Sequence, residues 1–166
     1  MLDLILMRRG FLTETEIDGL EKFYPNLKIL RLYSIENYLL HPDNLQEYFN
    51  EQQKSFDKVA YIQALVEAKN AVKDNFVYSL VPNRMSYPFY REMSHKAPKW
   101  FKNTSENQAA AKEIYQSLTS DKLADFYPFF PMKDYGKTIP QRQNLQYSEL
   151  SSTLWFKKQI TEIISK

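Results

Sequence analysis

The sequence predicts an α/β chain that is mostly helical, with a small sheet near its amino end followed by a helical carboxyl-terminal region. Three observations predict it. Apolar Leu2-Asp3-Leu4-Ile5-Leu6-Met7 and alternating Leu27-Lys28-Ile29-Leu30-Arg31-Leu32-Tyr33 suit short, half-buried strands. Between them, Thr13 and Glu16 have capping-box spacing, opening a helix from Ile17 to Tyr24 with Ile17, Leu20 and Phe23 or Tyr24 on its apolar face. From Phe56 to Leu80, apolar residues recur at helical spacing with no glycine or proline before Pro82, which makes this the longest helix. The expected division is an α/β segment over residues 1–41 and a helical region packed on it over 42–166, together one compact domain.

The remaining elements follow from local signals. Pro42 suits a first helical turn, with Leu45, Tyr48 and Phe49 forming an apolar face through about Asn50. Pro82, Pro88 and Pro98 break the chain after the long helix, so residues Asn83 to Asn103 are expected as an irregular surface segment. Ser105 with Gln108 predicts a capping box and a helix through Ile114, Tyr115 and Leu118. Ser120 or Asp121 opens another that ends before Pro128. Ser148 is expected to cap a last helix carrying Leu150, Leu154, Trp155, Ile160, Ile163 and Ile164.

Composition sets the class. The 166 residues suffice for one core, and 43% apolar residues with 15% aromatics argue against disorder. Cysteine is absent, which excludes disulfides and thiolate metal sites and suits a reducing cytosol. With neither a signal peptide nor a spanning segment visible, a cytoplasmic protein with no membrane partner is expected.

Chemistry concentrates in Ser34-Ile35-Glu36-Asn37-Tyr38-Leu39-Leu40-His41-Pro42. Glu36 and Asn37 fall just past the carboxyl end of the second strand, where open α/β sheets place their sites. The apolar neighbours imply partial burial, and a carboxylate beside an amide there needs hydrogen bonds, a counter-charge or a metal. Glu36 is the first functional candidate and Asn37 its structural companion. The other reading is that both cap the helix beginning there.

The Ile-Glu-Asn-Tyr-Leu-Leu-x-Pro string after a strand resembles the hallmark of Toprim-like nuclease domains found with, or fused to, ABC-type ATPases, the overcoming-lysogenization-defect group and its relatives in phage defence. The order before it also agrees: an apolar strand at Leu2 to Met7, a phenylalanine element at Phe11-Leu12-Thr13, then a helix from Ile17 to Tyr24. The resemblance implies a small parallel sheet, the remnant of a Toprim-like (Rossmann-like) domain, and Mg²⁺- or Mn²⁺-dependent phosphodiester cleavage in the complete protein, with Glu36 catalytic and a metal ligand. The chain departs from the family where Asp-Arg-Asp is expected before Phe11, because it has Arg8-Arg9-Gly10. Arginine cannot ligate a cation. A further family glutamate, on an earlier strand, would lie upstream of Met1. The metal is expected of the complete protein, and this chain alone is therefore expected to be inactive.

A second stretch, Phe129-Phe130-Pro131-Met132-Lys133-Asp134-Tyr135-Gly136-Lys137, resembles the late Toprim-like segment bearing a functional lysine, and Lys133 is its best match. Such a lysine would stabilise charge on a phosphate. The plainer reading is a loop lysine paired with Asp134. Charge is uneven: residues 1–83 hold 9 basic and 12 acidic side chains, and residues 84–166 hold 13 and 8. In the second half Arg84, Arg91, Lys96, Lys99 and Lys102 interleave with Tyr87, Phe89, Tyr90, Trp100 and Phe101, a mixture that can pair phosphate contacts with base stacking. Candidate nucleic-acid contacts are Arg8, Arg9, Lys99, Lys102, Lys137 and Arg142. The plainer reading is core aromatics with solvated lysines.

Other chemistries find little support. His41 and His95 lack metal-site spacing, Gly10, Gly19 and Gly136 make no phosphate loop, and no serine has a glycine elbow. His41 is expected to contact backbone at a helix start. Three functions remain: part of a nuclease, a degenerate nucleic-acid- or partner-binding module in which Arg8 and Arg9 replace metal by fixed charge, and an assembly domain on an ATPase that offers an open strand edge. The sequence leaves the oligomeric state open.

Overall fold

The computed structural model describes residues 3–85 and 104–166. It is mostly helical with a two-stranded parallel sheet, the α/β class expected. Strand β1 (Ile5–Met7) pairs with β2 (Leu27–Ile29) in the register Ile5 to Leu27 and Met7 to Ile29, and helix α1 (Glu14–Phe23) crosses between them. Next come α2 (Ile35–Leu39), α3 (Pro42–Glu51) and α4 (Lys58–Met85). After the gap in description follow α5 (Thr104–Thr119), α6 (Leu123–Phe126), a 3-10 turn (Tyr127–Phe129) and α7 (Met132–Tyr135). Two more 3-10 turns lead to α8 (Tyr147–Leu150) and α9 (Leu154–Ile164).

The expected capping box of α1 is present. The Glu16 N–H donates to Thr13 Oγ1 (3.3 Å) and the Thr13 N–H to Glu16 Oε2 (2.9 Å). Ile17 and Leu20 then bury against Leu12, Leu27 and Ile29. Gly10 has φ 55°, the left-handed region where glycine carries no steric penalty, and it turns the chain from β1 towards Phe11.

The second strand is shorter than its alternation suggests. Its ladder ends when the Leu30 N–H donates to the Met7 carbonyl (2.9 Å). Beyond it, the Tyr38 hydroxyl accepts from the N–H groups of both Arg31 (2.8 Å) and Leu32 (3.1 Å), leaving those donors nothing to give a ladder.

A larger core lies among the helices, where Leu40, Leu45, Tyr61, Leu65, Ile114, Phe126 and Phe130 are buried. Ile163 of α9 packs with Leu30 and Tyr38, joining the last helix to the sheet end. Helix α4 runs to Met85 and so passes position 82, where the sequence predicts a stop. Its last turn is held from outside: buried Arg84 donates to the Phe11 carbonyl, to Glu16 (2.5 and 3.0 Å) and to Asn107 Oδ1 (2.7 Å). The rest of the expected irregular segment lies outside the described residues. Helix α5 starts at Thr104, so Ser105 and Gln108 fall inside its first turns.

The expected last helix is split. Asn44 donates to the Leu150 carbonyl (3.1 Å) and accepts from Thr153 Oγ1 (2.5 Å), which drives a wedge between α8 and α9. Thr153, not Ser148, caps α9 by accepting from the Phe156 N–H (3.2 Å), and Glu47 takes the N–H groups of Leu154 and Trp155.

His41 caps α3, Nδ1 accepting from the Asp43 N–H (3.2 Å), with its ring stacked on Trp155 at 4.7 Å. Burial, aided by Lys58 and opposed by Asp43, pushes the imidazole down to about 4 from 6.5. Between those two values the unfolded chain takes up a proton that the folded one refuses, so stability present above pH 6.5 is lost as pH falls through 4. Relative to His41→Asn, which keeps the cap acceptor, the wild type should lose up to about 3 kcal/mol over this range. Urea unfolding of both proteins at a series of pH values measures it; parallel profiles would refute a buried neutral imidazole.

Candidate functional site

Helix α2 begins four residues after the ladder ends, with Ser34 at its N-cap in an extended conformation. Ser34 makes no side-chain cap hydrogen bond and instead donates from Oγ to Asn37 Oδ1 (3.2 Å). Asn37 is fully buried and does not cap its own helix. Its Nδ2 donates to the Phe130 carbonyl (2.7 Å) and the Tyr127 carbonyl (3.1 Å), and the Tyr127 hydroxyl donates back to the Asn37 carbonyl (2.9 Å). These bonds staple α2 to the 3-10 turn that precedes α7.

Across that staple the chain brings Glu36 and Lys133 to one open cleft of about 360 Å³, walled also by Leu6, Met7, Arg8, Tyr33 and Asp134. It lies at the carboxyl end of the parallel strands, the position expected for an α/β site. Glu36 is half-buried and Lys133 exposed. Among the described residues neither side chain has a hydrogen-bond or ion-pair partner, so neither a helix-capping Glu36 nor a Lys133–Asp134 pair is formed. Burial raises the Tyr33 phenol above its usual range; Arg8 opposes that rise, while Asp134 and Tyr135 add to it.

The other basic candidates separate. Arg9, expected to meet phosphate beside Arg8, is 2% exposed. It donates to the carbonyls of Leu12 (2.9 Å) and Arg31 (2.5 Å) and to Glu14 (2.7 Å), with its guanidinium 4.3 Å from the Phe129 ring centroid. Burial lowers its pKa, opposed by Glu14. Its donors are engaged inside the fold, which removes it from the phosphate contacts. Arg84, the first cation of the basic and aromatic stretch, is engaged in the same way. Arg142 is half-buried and donates to the Met132 carbonyl (2.5 Å) and the Tyr147 hydroxyl (2.9 Å). Lys137 is exposed on the turn after α7. Lys99 and Lys102, with the aromatics around them, lie outside the described residues.

Sequence reasoning missed Tyr33 and treated Asp134 only as a partner for Lys133. The available signal was position, since Tyr33 directly precedes the Ser34 cap and Asp134 shares a single-turn helix with Lys133.

A two-metal phosphodiester centre needs several oxygen ligands around ions about 4 Å apart. Among the described residues no group of three or more His, Cys, Asp or Glu side chains could hold a metal ion, and Arg8 lines the same cleft as Glu36. The described residues do not by themselves make such a centre. Two cations, Arg8 and Lys133, and two carboxylates, Glu36 and Asp134, line a partly apolar cleft. Among the described residues, no helix is long and apolar enough to cross a membrane.

No family model, curated protein or solved structure matches this chain.

The staple is open to test by Asn37→Leu, which leaves the buried carbonyls of Tyr127 and Phe130 without their donor. Urea unfolding should show a loss of about 2–4 kcal/mol. A loss under about 0.5 kcal/mol would mean that the amide is dispensable to the junction.

Proposed function

We propose that this chain corresponds to the later part of a Toprim-like nuclease domain of the kind that works with ABC-type ATPases, and that it holds a nucleic-acid phosphodiester in the Arg8–Glu36–Lys133 cleft without cutting by itself. One observation carries the reading. Two residues chosen from sequence for phosphate chemistry, 97 positions apart, line the same cleft at the carboxyl end of parallel strands, and neither is engaged elsewhere among the described residues.

The division of labour follows from charge. Arg8 and Lys133 attract the phosphate oxygens, Arg8 as a planar fork of donors and Lys133 as a compact mobile charge. Glu36 repels the same anion, so it either tunes affinity or serves a cation brought with the substrate. In the complete nuclease implied by the resemblance, Mg²⁺ or Mn²⁺ would supply charge neutralisation at the phosphate, and Glu36 would be one of its ligands. The second reading is a binding module that has given up cleavage, and Arg8 at the cleft wall favours it.

Arg8→Ala and Lys133→Ala should each weaken binding of a short labelled DNA or RNA strand and reduce the slope of log K against log salt by about 1. Unchanged slopes in both variants would remove the cleft from consideration. Glu36→Gln separates the two readings. Without metal it should tighten binding about two- to fivefold by removing a like charge. A module that only binds gains equally with Mg²⁺ present, whereas a metal-using site loses its Mg²⁺-dependent affinity.

A further inference from the structure

We infer that the cleft takes one unpaired nucleotide, phosphate and base together, so that the chain selects single-stranded or frayed nucleic acid over intact duplex. This rests on the phosphodiester reading and goes beyond it by naming the form of the substrate.

The first argument is electrostatic. Two cations, Arg8 and Lys133, share the cleft with two carboxylates, Glu36 and Asp134, so its formal charges cancel. A surface that reads duplex by its backbone alone needs a run of uncompensated cations, because counterion release supplies the affinity. A neutral cleft does not provide that. Binding here requires a second source of free energy.

The second argument is the wall itself. Beside the charged residues the cleft is lined by Leu6, Met7, Leu30, Ile35 and Tyr33, whose half-buried ring packs edge-on against Phe11 with centroids 5.1 Å apart. Leu6 is 44% exposed, as the preceding Leu4 (51%) and Ile5 (50%) also are. An aromatic and aliphatic wall beside phosphate-binding cations suits the face of a base.

The third argument is size. About 360 Å³ is near the lower end of small-molecule pockets, room for one nucleotide. In a duplex the bases are stacked inside and the phosphates lie outside. A pocket that holds both parts of one nucleotide can therefore fill only when that base has left its stack.

Fluorescence anisotropy on the full chain tests this with three probes of equal phosphate count: a labelled single strand that cannot pair with itself, a blunt two-strand duplex with G·C ends, and an abasic strand. The single strand should bind about tenfold more tightly than either of the others, as expected for one stacked base. Tyr33→Leu, checked for an unchanged urea midpoint, should lower single-strand affinity several-fold and leave duplex binding unaltered. If that variant does not fold, the abasic comparison decides alone. Equal affinity for all three probes, still dependent on Arg8 and Lys133, would overturn the unpaired-nucleotide inference while the phosphate reading stands. No binding of any probe, or binding indifferent to Arg8→Ala and Lys133→Ala, would overturn both.

Discussion

The Asn37 amide is the constraint on which the candidate site depends. One fully buried side chain satisfies two backbone carbonyls contributed by a turn some ninety positions later, and the Tyr127 hydroxyl closes the junction from the other side. A buried carbonyl without a donor is costly, so the 3-10 turn at Tyr127–Phe129 has few alternatives to lying against α2. Once it does, α7 follows within three residues and its lysine arrives at the cleft that Glu36 already borders. Two surface charges are thus positioned by neutral hydrogen bonds inside the protein. Nothing in their own electrostatics need draw them together.

The arginines show how the same residue type serves two purposes in adjacent positions. Arg8 borders the cleft and Arg9 is interior, as successive side chains of an extended segment point to opposite sides. Arg9 ties the turn after β1 to the carbonyls of Leu12 and Arg31 and to the start of α1. Arg84 performs the equivalent task from the far end of α4, and Glu16 closes the α1 capping box while pairing with Arg84. The Arg84–Glu16 pair, with side chains 2% and 12% exposed, is costly to assemble and costlier to halve, because removing one partner strands the other charge. Arg84 connects α4 to α1 and α5, so the scaffold is partly electrostatic.

What the sequence disclosed and what it hid divide along the range of the interactions. The Thr13 and Glu16 box, Pro42 in the first turn of α3 and the placement of Glu36 after a strand are local, and each was legible. The early end of β2 was not, because the competitor for its N–H groups is a tyrosine hydroxyl from the next helix. Asn44 splitting the terminal helices is a contact across more than a hundred residues. No periodicity encodes it. The burial of Arg9 and Arg84 was equally hidden, since their main acceptors include backbone carbonyls, which every residue possesses. The joint wall formed by Glu36 and Lys133 was legible only as two separate resemblances; the fold supplies their meeting.

Replacing metal-binding carboxylates by arginine changes what a phosphate site can do. A divalent ion neutralises the phosphate and also lowers the pKa of bound water, which provides both attraction and a nucleophile. A guanidinium supplies only the attraction, at constant charge through the physiological range and independent of metal supply. On the proposed reading, the Arg8 wall therefore keeps the affinity half of the chemistry and loses the cleaving half. The two carboxylates that remain, Glu36 and Asp134, then act against the bound anion and hold its affinity down. A site with weak, compensated electrostatics discriminates through whatever else touches the ligand, and here that is the apolar wall of Leu6, Met7 and Tyr33. On that reading, specificity in the cleft would rest on the shape and hydrophobicity of its walls, with charge setting the orientation of the phosphate.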